Sequence, residues 1–133
     1  MTLGIVGLGR IGKRMAHVGR NVFRGVIACD PYLIDGDFPA YVERRDLAGV
    51  FGDSDVVSLH VPLTDQTRNL INARTLAAMK KGAFLVNCAR GGLVDEKALA
   101  ESLASGHLGG AALDVFEKEP LPADNPLLKL DTF

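Results

Sequence analysis

The sequence predicts an α/β domain, a doubly wound parallel sheet with helices on both faces. Three observations carry this reading. Short apolar runs alternate with helical patterns along the 133-residue chain. A glycine-rich turn, Val6-Gly7-Leu8-Gly9-Arg10-Ile11-Gly12, stands between the first apolar run and the first helical pattern. Polar and glycine residues gather where the expected strands end, at Gly7, Asp30, His60-Val61-Pro62, Cys88-Ala89-Arg90 and Asp114. Ligands of such sheets bind beyond the carboxyl ends of the strands.

The elements follow in order. Leu3 to Val6 are mostly apolar, as in a strand buried on both faces, and set a strand over 2–7. A helix is expected over 10–23, with Ile11, Met15, Val18 and Val22 forming one apolar stripe and Gly25 ending it. Val26 to Cys29 make the second strand, closed by Asp30. A short strand near Tyr41 and a helix over 46–52 precede a strand over 56–59. A helix over 73–80 leads to a strand over 83–87. The helix over 95–105 has Asp95 as its N-cap, Ala98, Leu99 and Leu103 facing inward, and Gly106 placed to end it. The last strand covers 109–114; Asp114 closes it where an unpaired charge would be costly, and so needs a partner.

The glycine turn has a chemical reading. Gly7 permits a sharp turn, Gly9 lets backbone N–H groups approach a pyrophosphate, and Gly12 lets the helix pack closely on the sheet. The helix N-terminus offers unpaired donors to phosphate. Asp30, 18 residues after Gly12, can accept hydrogen bonds from a ribose 2′-OH and repel a 2′-phosphate, which favours NAD over NADP. The pattern is that of a Rossmann-type dinucleotide-binding domain over 1–133. A turn that only packs, or one serving FAD or S-adenosylmethionine, shares the glycines.

Composition excludes several classes. Fifteen Lys and Arg against 16 Asp and Glu leave a net charge of −1, no footprint for nucleic acid. No run reaches the ~18 apolar residues of a membrane span. The N-terminus enters a strand at once, so no signal peptide is expected. Cys29 and Cys88 lack C-x-x-C spacing and read as free thiols of a reducing cytoplasm. No metal site is expected.

Arg90 follows a strand end and precedes two glycines. Its guanidinium could grip a carboxylate through two parallel hydrogen bonds and polarise an adjacent carbonyl; alternatively it pairs with a surface acid. Glu119, before Pro120, reads alone as a solvated acid. Cys88 could be a nucleophile, but no base accompanies it.

At these residues the chain resembles the cofactor domain of the D-isomer-specific 2-hydroxyacid dehydrogenases. The matching pieces are T-L-G-I-V-G-L-G-R-I-G, Asp30, S-L-H-V-P-L-T, N-C-A-R-G-G-L-V-D-E and G-A-A-L-D-V-F-E-K-E-P-L, running from Thr2 to Leu121. The resemblance implies that Arg90 binds the carboxylate and carbonyl of a small 2-keto or 2-hydroxy acid, and that Glu119 hydrogen-bonds a catalytic histidine. It implies that Asp114 holds the nicotinamide carboxamide, that Arg10 and Ile11 cover the pyrophosphate, and that Asp30 holds the adenosine ribose. Val61, Pro62, Thr67, Cys88 and Ala89 would line the cofactor channel. A homodimer is implied as well.

Two departures follow from the resemblance. The family's T-P-H histidine and its substrate-binding domain are expected to lie outside 1–133, and His17, His60 and His107 do not replace that histidine. The strand over 109–114 is then expected to present a bare edge that invites pairing with another chain. An NAD(H)-responsive interaction module of corepressor type is the alternative function; it would keep the glycine turn and Asp30.

Overall fold

The computed structural model describes residues 1–133. Six strands form one parallel sheet: β1 (Thr2–Val6), β2 (Gly25–Cys29), β3 (Val42–Arg44), β4 (Val56–Leu59), β5 (Phe84–Asn87) and β6 (Gly110–Leu113), in the spatial order β3-β2-β1-β4-β5-β6. The order reverses between β1 and β4, which opens a crevice at their carboxyl ends. Four helices connect the strands: α1 (Arg10–Gly19), α2 (Leu47–Asp53), α3 (Ala73–Ala78) and α4 (Glu96–Ala104).

Side chains alternate between two apolar layers, as the two-residue period of a strand requires. Leu3, Ile5, Val26 and Ala28 pack with Ala16 of α1 on one face. Ile27, Val57, Leu59 and Leu85 pack with Phe51, Leu76, Leu99 and Leu103 from α2, α3 and α4 on the other. Asp46, Asn72 and Asp95 cap α2, α3 and α4 by accepting backbone N–H groups. Ala98, Leu99 and Leu103 are buried as expected, and Gly106 adopts φ +70° just past the end of α4. His107, three residues past the end of α4, donates Nε2–H to Leu76 O (3.0 Å) and Met79 O (3.1 Å), tying the segment after α4 to the C-terminal end of α3.

The first helix departs from the expectation in length and in facing. It ends at Gly19, not near residue 23, and Gly25 opens β2 instead of closing the helix. Ile11, Val18 and Val22 are 66%, 59% and 74% exposed. The buried face is Gly12, Ala16 and Gly19. A Cβ at Gly19 would lie 2.5 Å from Leu3 Cδ2, and one at Gly12 would collide with the carbonyl of Gly7. Close approach of helix and sheet therefore keeps the innermost line to small residues; of the expected stripe Met15 packs against the core, while Ile11, Val18 and Val22 turn outward. Asp114 is exposed at the end of β6 and needs no partner; its N–H donates to Asn87 O (3.0 Å). The β6 edge is not wholly bare, because Ala111 N–H donates to Thr132 O (2.9 Å).

Candidate functional site

The glycine turn separates three steric demands. Gly7 has φ +92°, and a Cβ there would lie 2.7 Å from His60 O at the end of β4. Gly12 allows α1 to press against the turn. Gly9 has no atom within 4 Å of where its Cβ would stand. Its lack of a side chain is therefore not required by packing; it keeps the space beside the turn open. Asp30 braces the turn from β2: Oδ2 accepts the Leu8 N–H (2.8 Å) and Oδ1 the Tyr32 N–H (3.0 Å).

These residues wall a cleft of about 440 Å³ that includes Gly7, Gly9, Asp30, Tyr32, Val61 and Thr67. Thr67 also shapes its own wall, since Oγ1 donates to Pro62 O (2.6 Å). A second cleft of about 260 Å³ continues from the shared residues His60, Val61 and Pro62 to Ile11, Cys88, Ala89 and Arg90. Open space beside a helix N-terminus, an acid at the end of β2 and an apolar channel across the switch point fit a dinucleotide. Arg10 is the first residue of α1 and, with Ile11, is exposed at the rim.

His60 sits where the two clefts meet. Its Nε2 is 2.9 Å from Ser58 Oγ, and burial pushes its pKa below the ordinary histidine value. That favours neutral imidazole and disqualifies it as a ready proton donor, although it shares a cleft with Arg90. His17 is exposed on α1, its ring edge-on to Tyr41. Burial, and then the nearby Asp30 and Asp46 carboxylates, push the Cys29 thiol up, so it is an inert wall of the larger cleft. Cys88 is exposed in the smaller one. No group of three His, Cys, Asp or Glu side chains could hold a metal ion.

Arg90 is presented by a turn that Asn87 builds. Asn87, 1% exposed, accepts the Ala89 N–H at Oδ1 and donates Nδ2–H to Arg90 O, both at 3.0 Å. The Arg90 side chain is exposed and folds back to Ala89 O (2.7 Å). Glu119 lines a separate recess with Arg68, Gly91, Gly92 and Phe116, and accepts the Phe116 N–H (3.0 Å). Arg90 and Glu119 thus flank the Arg90-Gly91 peptide from neighbouring recesses, and Asp114 lines neither. Sequence reasoning passed over Asn87 and Tyr32. The available signal for Asn87 was an amide at a buried strand end directly before a glycine turn.

The family model for the D-isomer specific 2-hydroxyacid dehydrogenase NAD binding domain matches residues 1–133. The chain belongs to this family. It is 51% identical over 129 residues to the (S)-sulfolactate dehydrogenase of Chromohalobacter salexigens, covering 95% of this chain and 41% of that protein. It is 48% identical over 128 residues to the D-3-phosphoglycerate dehydrogenase of Bacillus subtilis, covering 96% and 24%. Among solved structures, the NAD complex of the Staphylococcus aureus NAD-dependent formate dehydrogenase superposes with a TM-score of 0.91 at 37% identity, over 98% of this chain and 39% of that one. The chain therefore spans between about a quarter and two-fifths of these proteins. It is a Rossmann-type NAD-binding domain, and its named relatives are enzymes, not interaction modules.

Proposed function

We propose that this NAD-binding domain serves a dehydrogenase that interconverts a D-2-hydroxy acid and a 2-keto acid by hydride transfer. The observation that carries the reading is the position of Arg90. It stands at the end of β5 in the cleft that continues the dinucleotide channel, on a turn held by a buried Asn87.

NAD would be held by the backbone of Gly7 to Gly12, by Asp30 at the ribose and by Val61, Pro62, Thr67, Cys88 and Ala89 along the channel, with Arg10 and Ile11 over the pyrophosphate and Asp114 toward the nicotinamide carboxamide. Bound there, the cofactor supplies the hydride acceptor in one direction and the donor in the other. Arg90 would take the substrate carboxylate on its planar fork and stabilise the charge that develops on the C2 oxygen. Keto-acid reduction also needs a proton. Glu119 would serve that step by hydrogen-bonding a histidine, keeping it protonated through its negative charge. The domain would work joined to a substrate-binding domain, as a homodimer in the cytoplasm. The joining to a further domain is supported by the share of its relatives that it spans. No helix is long and apolar enough to cross a membrane.

Arg90→Gln in the whole dehydrogenase tests the reading. Turnover of 2-keto acids is expected to fall about 10²-fold or more while NADH affinity is kept, because the lost donors act on substrate and transition state. Arg90→Lys is expected to rescue poorly, since an ammonium lacks the fork. Retention of most of kcat/KM by Arg90→Gln would make Arg90 structural.

A further inference from the structure

The loop after β6 carries Glu119, but α4 holds the loop. Glu96, the first residue of α4, uses both carboxylate oxygens on it. Oε1 accepts the Glu117 N–H (2.8 Å), and Oε2 accepts Nδ2–H of Asn125 (2.7 Å). Glu119 lies between these two anchors in sequence. Asn125 is itself 9% exposed, and its Oδ1 accepts the Leu127 N–H (3.0 Å), fixing it on the turn at Pro126–Lys129. Inside the loop, the Glu119 carboxylate closes on the Phe116 N–H. The same Phe116 presses on the Arg90 turn: a methyl group at Gly91 would collide with the Phe116 carbonyl.

We infer that Glu96 is a positioning residue for the reaction: its carboxylate staples both sides of the Glu119 loop to the start of α4 and so sets where the Glu119 carboxylate stands. Two charge-assisted bonds from one side chain fix a segment more firmly than bonds between neutral groups. A general acid depends on sub-ångström placement of its carboxylate partner. The inference rests on the proposed role of Glu119, so the experiment must separate the two.

The whole dehydrogenase is prepared with Glu96→Gln, Asn125→Asp, both together, and Glu119→Gln. Glu96→Gln sets an amide donor against the Asn125 donor or the Glu117 N–H. Asn125→Asp sets carboxylate against carboxylate. The double variant restores one donor and one acceptor, the new amide facing the new carboxylate, with Glu117 N–H still served. Each single change is expected to lower kcat/KM for keto-acid reduction about 10-fold, the scale of one hydrogen bond to a charged group. It should also shift the alkaline limb of the kcat profile to lower pH, as a less supported acid loses its proton earlier. NADH affinity should hold, and the double variant should recover most of the loss. Glu119→Gln should move the same limb further.

If Glu119→Gln has these effects but the Glu96 and Asn125 variants keep the rate and the limb, Glu96 does not position Glu119. Equal losses in the singles and the double, with NADH binding intact, overturn the inference too. An unaffected Glu119→Gln enzyme removes the proposed role of Glu119, and the inference with it.

Discussion

Removing the Asp30 carboxylate should strike the fold and the cofactor together. Leu8 is fully buried, and Asp30 Oδ2 accepts its N–H at 2.8 Å. Asp30→Ala leaves that donor without an acceptor, which costs about 1–3 kcal/mol. The Tyr32 N–H, in an exposed residue, can turn to water and adds little. For a domain of this size a loss of about 2 kcal/mol lowers Tm by about 8 °C. Losing the ribose acceptor should weaken NADH by about 10–100-fold. NADPH no longer meets a carboxylate, so the preference narrows, yet the glycine turn is less firmly held and NADPH should not reach the native affinity for NADH. Asp30→Asn keeps one oxygen for the Leu8 N–H and should retain most of the stability. Calorimetric titration with both cofactors and thermal unfolding measure all of this. Equal binding of NADH and NADPH by the native protein, or an Asp30→Ala variant with unchanged Tm that binds NADPH as tightly as the native protein binds NADH, would refute the reasoning.

Gly9→Ala and Gly12→Ala should fail differently. Nothing stands within 4 Å of a Cβ at Gly9, so the fold should survive while NADH binding is lost; at Gly12 the methyl meets the Gly7 carbonyl, and thermal unfolding should show destabilisation of several kcal/mol. The Thr2 N–H, and then Lys80, hold the Asp55 carboxyl below its ordinary value. Its contribution to stability is present above about pH 4, the unfolded-state range, and is lost as pH falls through the lower folded value. Asp55→Asn should therefore flatten the fall of Tm in acid. The domain of residues 1–133 alone should bind NADH yet oxidise little with a panel of 2-keto acids, because His60, the histidine that shares a cleft with Arg90, has its pKa pushed down by burial and is a poor proton donor; robust turnover would show another proton donor.

Much of this was legible from local chemistry. The strand–helix alternation, the roles of Gly7 and Gly12, the acid at the end of β2 and the Asp95 cap depend on residues near one another in sequence, where backbone geometry leaves few options. The convergence of Gly7, Asp30, His60 and Arg90 on one sheet edge followed from parallel connection alone. The motifs around Arg90 and Glu119 also identified the family.

Other features required the assembled fold. The facing of α1 was misread at Ile11, Val18 and Val22 because large apolar residues usually mark the buried stripe; here the closest approach of helix and sheet takes Gly12, Ala16 and Gly19, with Met15 packed at its side. Exposure decided that Asp114 needs no partner. The second duty of Asp30, the turn built by Asn87 and the hold of Glu96 on residues 117 and 125 join segments distant in sequence or rely on backbone N–H groups. Every residue except proline has such a group, so the sequence cannot mark which one a carboxylate will take. That choice is made only when the strands and loops are packed together.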